Sequence, residues 1–316
     1  MIGHAHGNLS GKRLVIFGCG YVGSELVRQG IAKGLRVTAL TRNAQKSGLL
    51  RQLGAEVVTA DLAEASWHSA IPGRADWVVN CVSSGGGGLD GYRESYVKGT
   101  HSIVKWGRDC GPMDTMLYTS STSVYPQGGG AHIDESAATE GVGERGKLLL
   151  EAEAATLGGA GLDGACQRAF VLRLAGIYGP SRHHLLDQIK AGQVSGRGDY
   201  HLNLIHRDDI CAAIWAALES SSNLRGGIYN IADDGAALKS DIVAWIAARL
   251  SMPVPPFTGE PAVGRREITP DRVILNAKAK GALGWRPVFS TFREGYENLL
   301  SRRDCPTLSA PSQINP

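Results

Sequence analysis

Gly18, Cys19, Gly20, Tyr21, Val22 and Gly23 form a G-x-G-x-x-G run between the apolar stretch Leu14-Val15-Ile16-Phe17 and a segment with helical spacing. A strand–glycine–helix passage of this spacing can cradle a pyrophosphate. The first glycine makes the tight turn, the second lets backbone amides come close, and the third lets the helix pack on the sheet. The helix N terminus adds unpaired N–H groups and a partial positive charge. Isolated from that context, the run would be only a turn.

The end of the second predicted strand bears on which dinucleotide fits. A site for NAD offers Asp or Glu there to the ribose hydroxyls. This chain offers Thr41-Arg42-Asn43, with Lys46 one turn later. A carboxylate repels a 2′-phosphate, whereas the Arg42 guanidinium can hold one bidentately. NADP(H) is therefore expected ahead of NAD(H); the alternative is that Arg42 is a solvated surface residue. Asp61 and Leu62 follow the third strand, where they can meet an adenine, or where Asp61 can cap the next element.

Short apolar strands and helices must position these residues, and they alternate from the start. Strands are predicted over 14–17, 35–41, 56–60, 76–82, 115–120 and 169–174, with helices over 21–33, 44–53, 64–71, 90–110 and 147–157. That order implies an α/β fold of Rossmann type, a doubly wound parallel sheet covered on both faces. Beyond Gly179-Pro180 the rhythm changes. Strands 201–205 and 227–231 sit between helices 208–218 and 239–250, Pro253-Val254-Pro255-Pro256 breaks the chain, and 289–300 reads as helix. The expected organisation is a tail over 1–13, an NADP-binding domain over 14–180, a smaller C-terminal α/β substrate lobe over 181–302 partly interleaved with it, and a tail over 303–316. Glycines at 85–88 and 128–130 follow the fourth and fifth strands. They are expected either as lids over the nicotinamide or as tolerated loop drift.

Composition narrows the function classes. The 316 residues are 43% hydrophobic and carry a formal net charge of +3 with no basic run, which gives no footprint for nucleic acid. No apolar stretch approaches the ~20 residues that span a bilayer. The 6 cysteines are scattered, without a CxxC pair or a histidine at metal spacing, so a reduced cytoplasmic protein without a metal site is expected. His4 and His6 lie in the first 13 residues, which lack the apolar centre of a signal peptide.

Further motifs follow in order: VVNCV at 78–82, VKGT at 97–100, TSSTSVY at 119–125, LRLAGIYGP at 172–180, IHRDDI at 205–210 and IYNI at 228–231. With the glycine run they resemble the extended short-chain dehydrogenase/reductases, the NAD(P)-dependent epimerase/dehydratase group, from Leu14 to about residue 300. The glycine spacing is that of the atypical branch, which includes oxidoreductases and non-catalytic binders. The resemblance implies that Cys81, Val82, Ser83, Gly176 and Ile177 lie beside the cofactor, and that Lys147 grips the ribose.

It also implies a Ser or Thr, a Tyr and a Lys acting together on a carbonyl or hydroxyl substrate, a sugar nucleotide among the options. Ser121 matches the first and Lys147 the third; Gly143 stands where the tyrosine belongs. Tyr96 occupies a position where the family commonly has asparagine. This paired departure suggests that Tyr96, or else Tyr92, takes part of the acid/base role. Tyr96 could instead pack between helix and sheet, and the Ser121 hydroxyl could instead satisfy loop amides. Arg182 and Arg207 are candidate anchors for an anionic substrate, or surface arginines; His206 matches a structural position. Two functional readings follow: an NADP-dependent oxidoreductase or epimerase with a non-standard site, or a non-catalytic NADP-binding sensor or scaffold. A homodimer through the helices at 90–110 and 147–157 is a further expectation.

Overall fold

The computed structural model describes residues 9–260 and 270–304. His4, His6 and residues 305–316 lie outside the described residues. The first strands and helices are β1 (Arg13–Phe17), α1 (Tyr21–Ala32), β2 (Arg36–Thr41), α2 (Ala44–Gln52), β3 (Glu56–Thr59) and β4 (Trp77–Asn80). β1, β2 and β4 are short and largely apolar, as burial on both faces requires, whereas the edge strand β3 stays partly exposed. α1 turns Val22, Leu26 and Val27 inward.

The helix expected over 64–71 does not form; turns occupy that stretch. Trp67 explains the difference. Its indole is 1% exposed and packs edge-on against Phe17 at 4.9 Å, and its N–H donates to the Leu62 carbonyl at 3.1 Å. The chain wraps this one anchor, and nearby serines bond locally, Ser69 to the Ser66 carbonyl among them.

The long helix expected over 90–110 has three parts: α3 (Gly88–Tyr92), a π-helical turn (Arg93–Lys98) and α4 (Gly99–Cys110). β5 (Met113–Ser121), β6 (Ala131–Ile133), α5 (Glu144–Gly158) and β7 (Cys166–Leu174) follow. Beyond them come β8 (Gly176–Tyr178), α6 (His184–Lys190), β9 (His201–Leu202), β10 (Leu204–His206), α7 (Arg207–Leu218) and β11 (Gly226–Ile231). The remaining elements are β12 (Ala237–Leu238), α8 (Lys239–Arg249), β13 (Arg272–Ile274), α9 (Ala277–Leu283) and α10 (Phe292–Asp304).

The central sheet has 7 strands in the order β11-β7-β5-β4-β1-β2-β3, every neighbouring pair parallel. Ile16 of β1 stands between Ala39 of β2 and Val79 of β4. This is the doubly wound α/β architecture that the alternation implies, and its order reverses at β1 and β4. The stretch 207–231 returns from the C-terminal part of the chain to supply α7 and the outer strand β11. A separate apolar cluster joins Tyr178, Leu186, Ile242, Ile246, Phe292 and Tyr296. Gly295 of α10 makes room there, because a Cβ would overlap the Tyr178 ring.

Asp233 is a buried ionisable group beside this second cluster. It is 4% exposed; one oxygen accepts from the Gly235 N–H at 3.0 Å, and the other has no hydrogen-bond partner among the described residues. Burial above all, with the negative charges of Asp234, Asp209 and Glu294, pushes its carboxyl up to about 8. A folded-state value above the unfolded one favours the protonated form in the native protein. The stability it contributes is complete below the ordinary carboxyl range and is lost as pH rises towards 8, at about 1.4 kcal/mol per pH unit while only the unfolded state is ionised. Chemical denaturation from pH 5 to pH 9 should show this decline, and Asp233→Asn should flatten it; an equal slope in the variant contradicts the assignment.

Candidate functional site

At the switch point between β1 and β4 the carboxyl ends of the strands open a cleft of ≈ 420 Å³. Its floor is the glycine turn. Gly18 has φ +84, and a Cβ there would lie 2.5 Å from the Val82 amide nitrogen. A Cβ at Gly23 would overlap the Gly18 carbonyl oxygen, whereas a Cβ at Gly20 would meet nothing within 4 Å. Gly18 and Gly23 are thus glycine for the protein's own packing, and Gly20 for what enters the cleft. No side chain caps α1, which leaves its leading N–H groups open to an anion.

Gly18, Cys19, Gly20, Arg42, Asp61, Leu62, Cys81, Val82 and Ser83, all singled out from sequence, line this cleft together. The Cys19 side chain serves the core: it is 2% exposed, and burial pushes its thiol up to about 12, so only its backbone is offered to a ligand. Arg42 is half exposed and pairs loosely with Asp61 at 3.5 Å. Asp61 also accepts from the Ala63 N–H at 2.9 Å, so it caps a turn, not a helix, while facing the cleft.

The glycine run 85–88 is expected either as a lid over the nicotinamide or as tolerated loop drift. The structure sets Gly85 beside Arg42, where Ser95 joins it in the lining. Ser95 escaped notice because a serine on a helix carries no local signal. Gly128 and Gly130 stand near Asp271 and are not among the lining residues.

Tyr21, Val22 and Gly23 begin α1 outside the lining. The Tyr21 hydroxyl donates to the Pro180 carbonyl at 2.8 Å, and the guanidinium groups of Arg182 and Arg207 lie over its ring at 5.5 and 5.3 Å. Burial pushes this phenol up to about 12 against the pull of both arginines. Arg207 is held by Asp208 at 2.8 Å, which ties it to the start of α7. Gly176 and Ile177 pair in β8 with β10 and are likewise outside the lining. His206 caps α7, its Nδ1 accepting from the Asp208 N–H at 3.2 Å.

The catalytic candidates are not brought together in the cleft. Ser121 ends β5, and its Oγ accepts from the Ser123 N–H at 3.1 Å, as a loop-satisfying hydroxyl does. Gly143 caps α5 from outside the helix, and its missing Cβ faces open space. The inward face of α5 carries Gly146, Leu149 and Glu153. One step round that helix, Lys147 points to solvent, 63% exposed and paired with Glu144 at 2.7 Å. Glu153 is committed elsewhere: it binds buried Arg173 at 2.6 Å and accepts from Ser120 at 2.6 Å.

Tyr96 lies on the π-helical turn, its ring against Tyr92 at 5.0 Å. Its hydroxyl accepts from the Ser84 N–H at 3.3 Å, which ties the stem of the glycine run to this turn. Burial, then the Tyr92 phenol, raises its pKa, so it keeps its proton at neutral pH. Sequence reasoning missed Arg272, which reaches from β13 to the carbonyls of Tyr125 at 2.6 Å and Thr122 at 3.0 Å and fixes the loop after Ser121. Only the assembled fold brings a residue so distant in sequence to that loop.

The NAD dependent epimerase/dehydratase family matches residues 14–232. The chain belongs to this family. Family members bind a nicotinamide cofactor, and the glycine cradle described above fits one. Among relatives, protein YeeZ of Escherichia coli (strain K12) is 25% identical over 272 residues, covering 84% of this chain and 93% of YeeZ. A Streptomyces sp protein named 3-diazoavenalumate denitrifying reductase is 26% identical over 320 residues, covering 89% of this chain and 98% of its own. Among solved structures, MoeE5 in complex with UDP-glucuronic acid and NAD superposes with a TM-score of 0.78 at 20% identity, covering 93% of this chain and 100% of MoeE5. UDP-glucuronic acid 4-epimerase from Bacillus cereus gives 0.74 at 19% identity, covering 90% of this chain and 96% of that one. At such identities the likeness is one of fold. Among the described residues no helix is long and apolar enough to cross a membrane.

The two inner glycines give a direct test of the cradle. Gly20→Ala should leave the melting temperature unchanged and weaken dinucleotide binding at least tenfold. Gly23→Ala should destabilise the fold by about 1–3 kcal/mol as overpacking does. Binding by calorimetry unchanged in Gly20→Ala contradicts this division of roles.

Proposed function

We propose that this protein binds NADP(H) and acts as an oxidoreductase on a carbonyl or hydroxyl compound. Arg42 carries the reading. At the end of β2, where an NAD site needs a carboxylate, stands a half-exposed guanidinium that lines the cleft with Lys46. Asp61 is too loosely paired with Arg42 to hold it against a doubly charged phosphate. The bound nicotinamide would supply or accept hydride. The protein's own part is to hold the phosphates on Gly18, Gly20 and the start of α1, and to keep Ser83, Cys81 and Val82 against the cofactor. In this reading residues 14–180 with 207–232 form the cofactor-binding unit, and the remainder of 181–302 forms the substrate lobe.

The printed name of the Streptomyces relative, a reductase aligned along nearly its whole length, supports the reductive direction. A sugar nucleotide as substrate draws its support from the fold neighbours. With Gly143 in place of the phenol and Lys147 in solvent, proton transfer falls to Tyr96. Its hydroxyl keeps its proton and is one hydrogen bond from the cleft-side loop. Positioned acids contribute about 100-fold or more to rate. A second reading, a non-catalytic NADP sensor, is favoured by the same Gly143 and Lys147.

Calorimetric titration separates the possibilities. NADPH should bind at least tenfold tighter than NADH, and Arg42→Ala should bring the two to parity; equal affinities in the unaltered protein overturn the NADP assignment. Oxidation of NADPH by a panel of carbonyl compounds should then fall about 100-fold in Tyr96→Phe, measured at saturating NADPH so that any loosening of the Ser84 stem does not enter the rate. Full turnover in that variant removes Tyr96 from the chemistry, and no turnover with any carbonyl favours the sensor.

A further inference from the structure

The glycine run after β4 does more than loop. Gly85, Gly86, Gly87 and Gly88 have φ of +64, +107, +78 and +61, all in the left-handed region. Its stem is held: the Ser84 N–H donates to the Tyr96 hydroxyl at 3.3 Å, and the Ser95 hydroxyl donates to the Ser84 carbonyl at 3.5 Å. The backbone of Gly85 is thereby brought against the tip of Arg42, where a Cβ would lie 2.6 Å from Nη2. Gly85 and Arg42 both line the main cleft and an adjoining hollow of ≈ 390 Å³.

An exposed arginine loses rotamer freedom when it grips a ligand, and a loose ion pair at 3.5 Å does little to hold it beforehand. The surface that orders the Arg42 guanidinium on the other side is the bare backbone of Gly85. We propose that Gly85 is a specificity-determining residue: the absence of a side chain there lets Arg42 stand at the cleft edge in position for a 2′-phosphate. Any side chain at 85 drives the guanidinium off that position. Because the displaced atom is the end of a flexible chain, the fold tolerates the change while cofactor preference does not. This inference rests on the reading of Arg42 as the phosphate partner.

The measurement is the ratio of NADPH to NADH affinity, by calorimetry, in six proteins: the unaltered chain, Gly85→Ala, Gly88→Ala, Arg42→Ala, and Arg42→Ala with each glycine change. Gly88 serves as the control for backbone strain, since its φ of +61 matches that of Gly85 and a Cβ there would meet nothing within 4 Å. Gly85→Ala should lower the ratio about tenfold, the effect of one charge-assisted hydrogen bond, with NADH affinity held. Gly88→Ala should leave the ratio as it is, and Gly85→Ala should change nothing further once Arg42 is alanine. A ratio unchanged in Gly85→Ala, while Arg42→Ala abolishes the preference, overturns the role of Gly85 and leaves the reading of Arg42 standing. An equal fall in Gly88→Ala, or a fall that persists without Arg42, assigns the effect to loop strain and likewise overturns it. No preference for NADPH in the unaltered protein removes the reading of Arg42 and this inference together.

Discussion

The close approach of three backbones at Gly18 is the constraint on which the rest depends. Its left-handed turn presses against the Val82 backbone at the end of β4, and Gly23 of α1 presses in turn on the Gly18 carbonyl. No side chain fits at either contact. The sheet's switch point, the open N terminus of α1 and the floor of the cleft are three aspects of that one packing event. The cradle is part of the core, whereas Gly143 and Lys147 at the start of α5 stand outside it.

The start of α5 is under no such constraint. A residue at 143 would stand in open space, and Lys147 makes only an exposed pair with Glu144, the kind of interaction that contributes little. Neither side-chain position is part of the core. Where the same helix meets the sheet, by contrast, Glu153, Arg173 and Ser120 form a buried charged network whose members depend on one another. Packing thus constrains the middle of α5 and leaves its first turn free.

Legibility of the sequence followed the same division. The strand–glycine–helix passage at 14–23 and the alternation after it are local patterns, and the sheet and the cleft floor could be read from them. Trp67 was not readable in this way: a segment with helical spacing was wound into turns by one buried indole. The destination of β11 was equally hidden, since pairing with β7 is a contact between distant residues. The exposure of Lys147 was hidden for a different reason. Family spacing gives a residue's number on a helix, but which way it faces depends on how that helix is rotated against the sheet, and α5 buries Gly146, Leu149 and Glu153 while Lys147 faces out. Gly85 was noticed as part of a run, yet its neighbour Arg42 belongs to a different strand–helix unit.

The outer strand also bears on how the molecule comes into being. β11 covers the free edge of β7 along six paired positions, from Gly226 opposite Ala169 to Ile231 opposite Leu174. A nascent chain that has just delivered β7 exposes a long, flat, apolar ribbon edge, the kind of template that recruits strands from other chains. That edge stays open until the ribosome has added the whole stretch through α6, β10 and α7. The molecule therefore passes through a period of vulnerability to misassembly that ends only when residue 231 clears the exit tunnel, and a fragment cut at the Gly179-Pro180 boundary would never leave it.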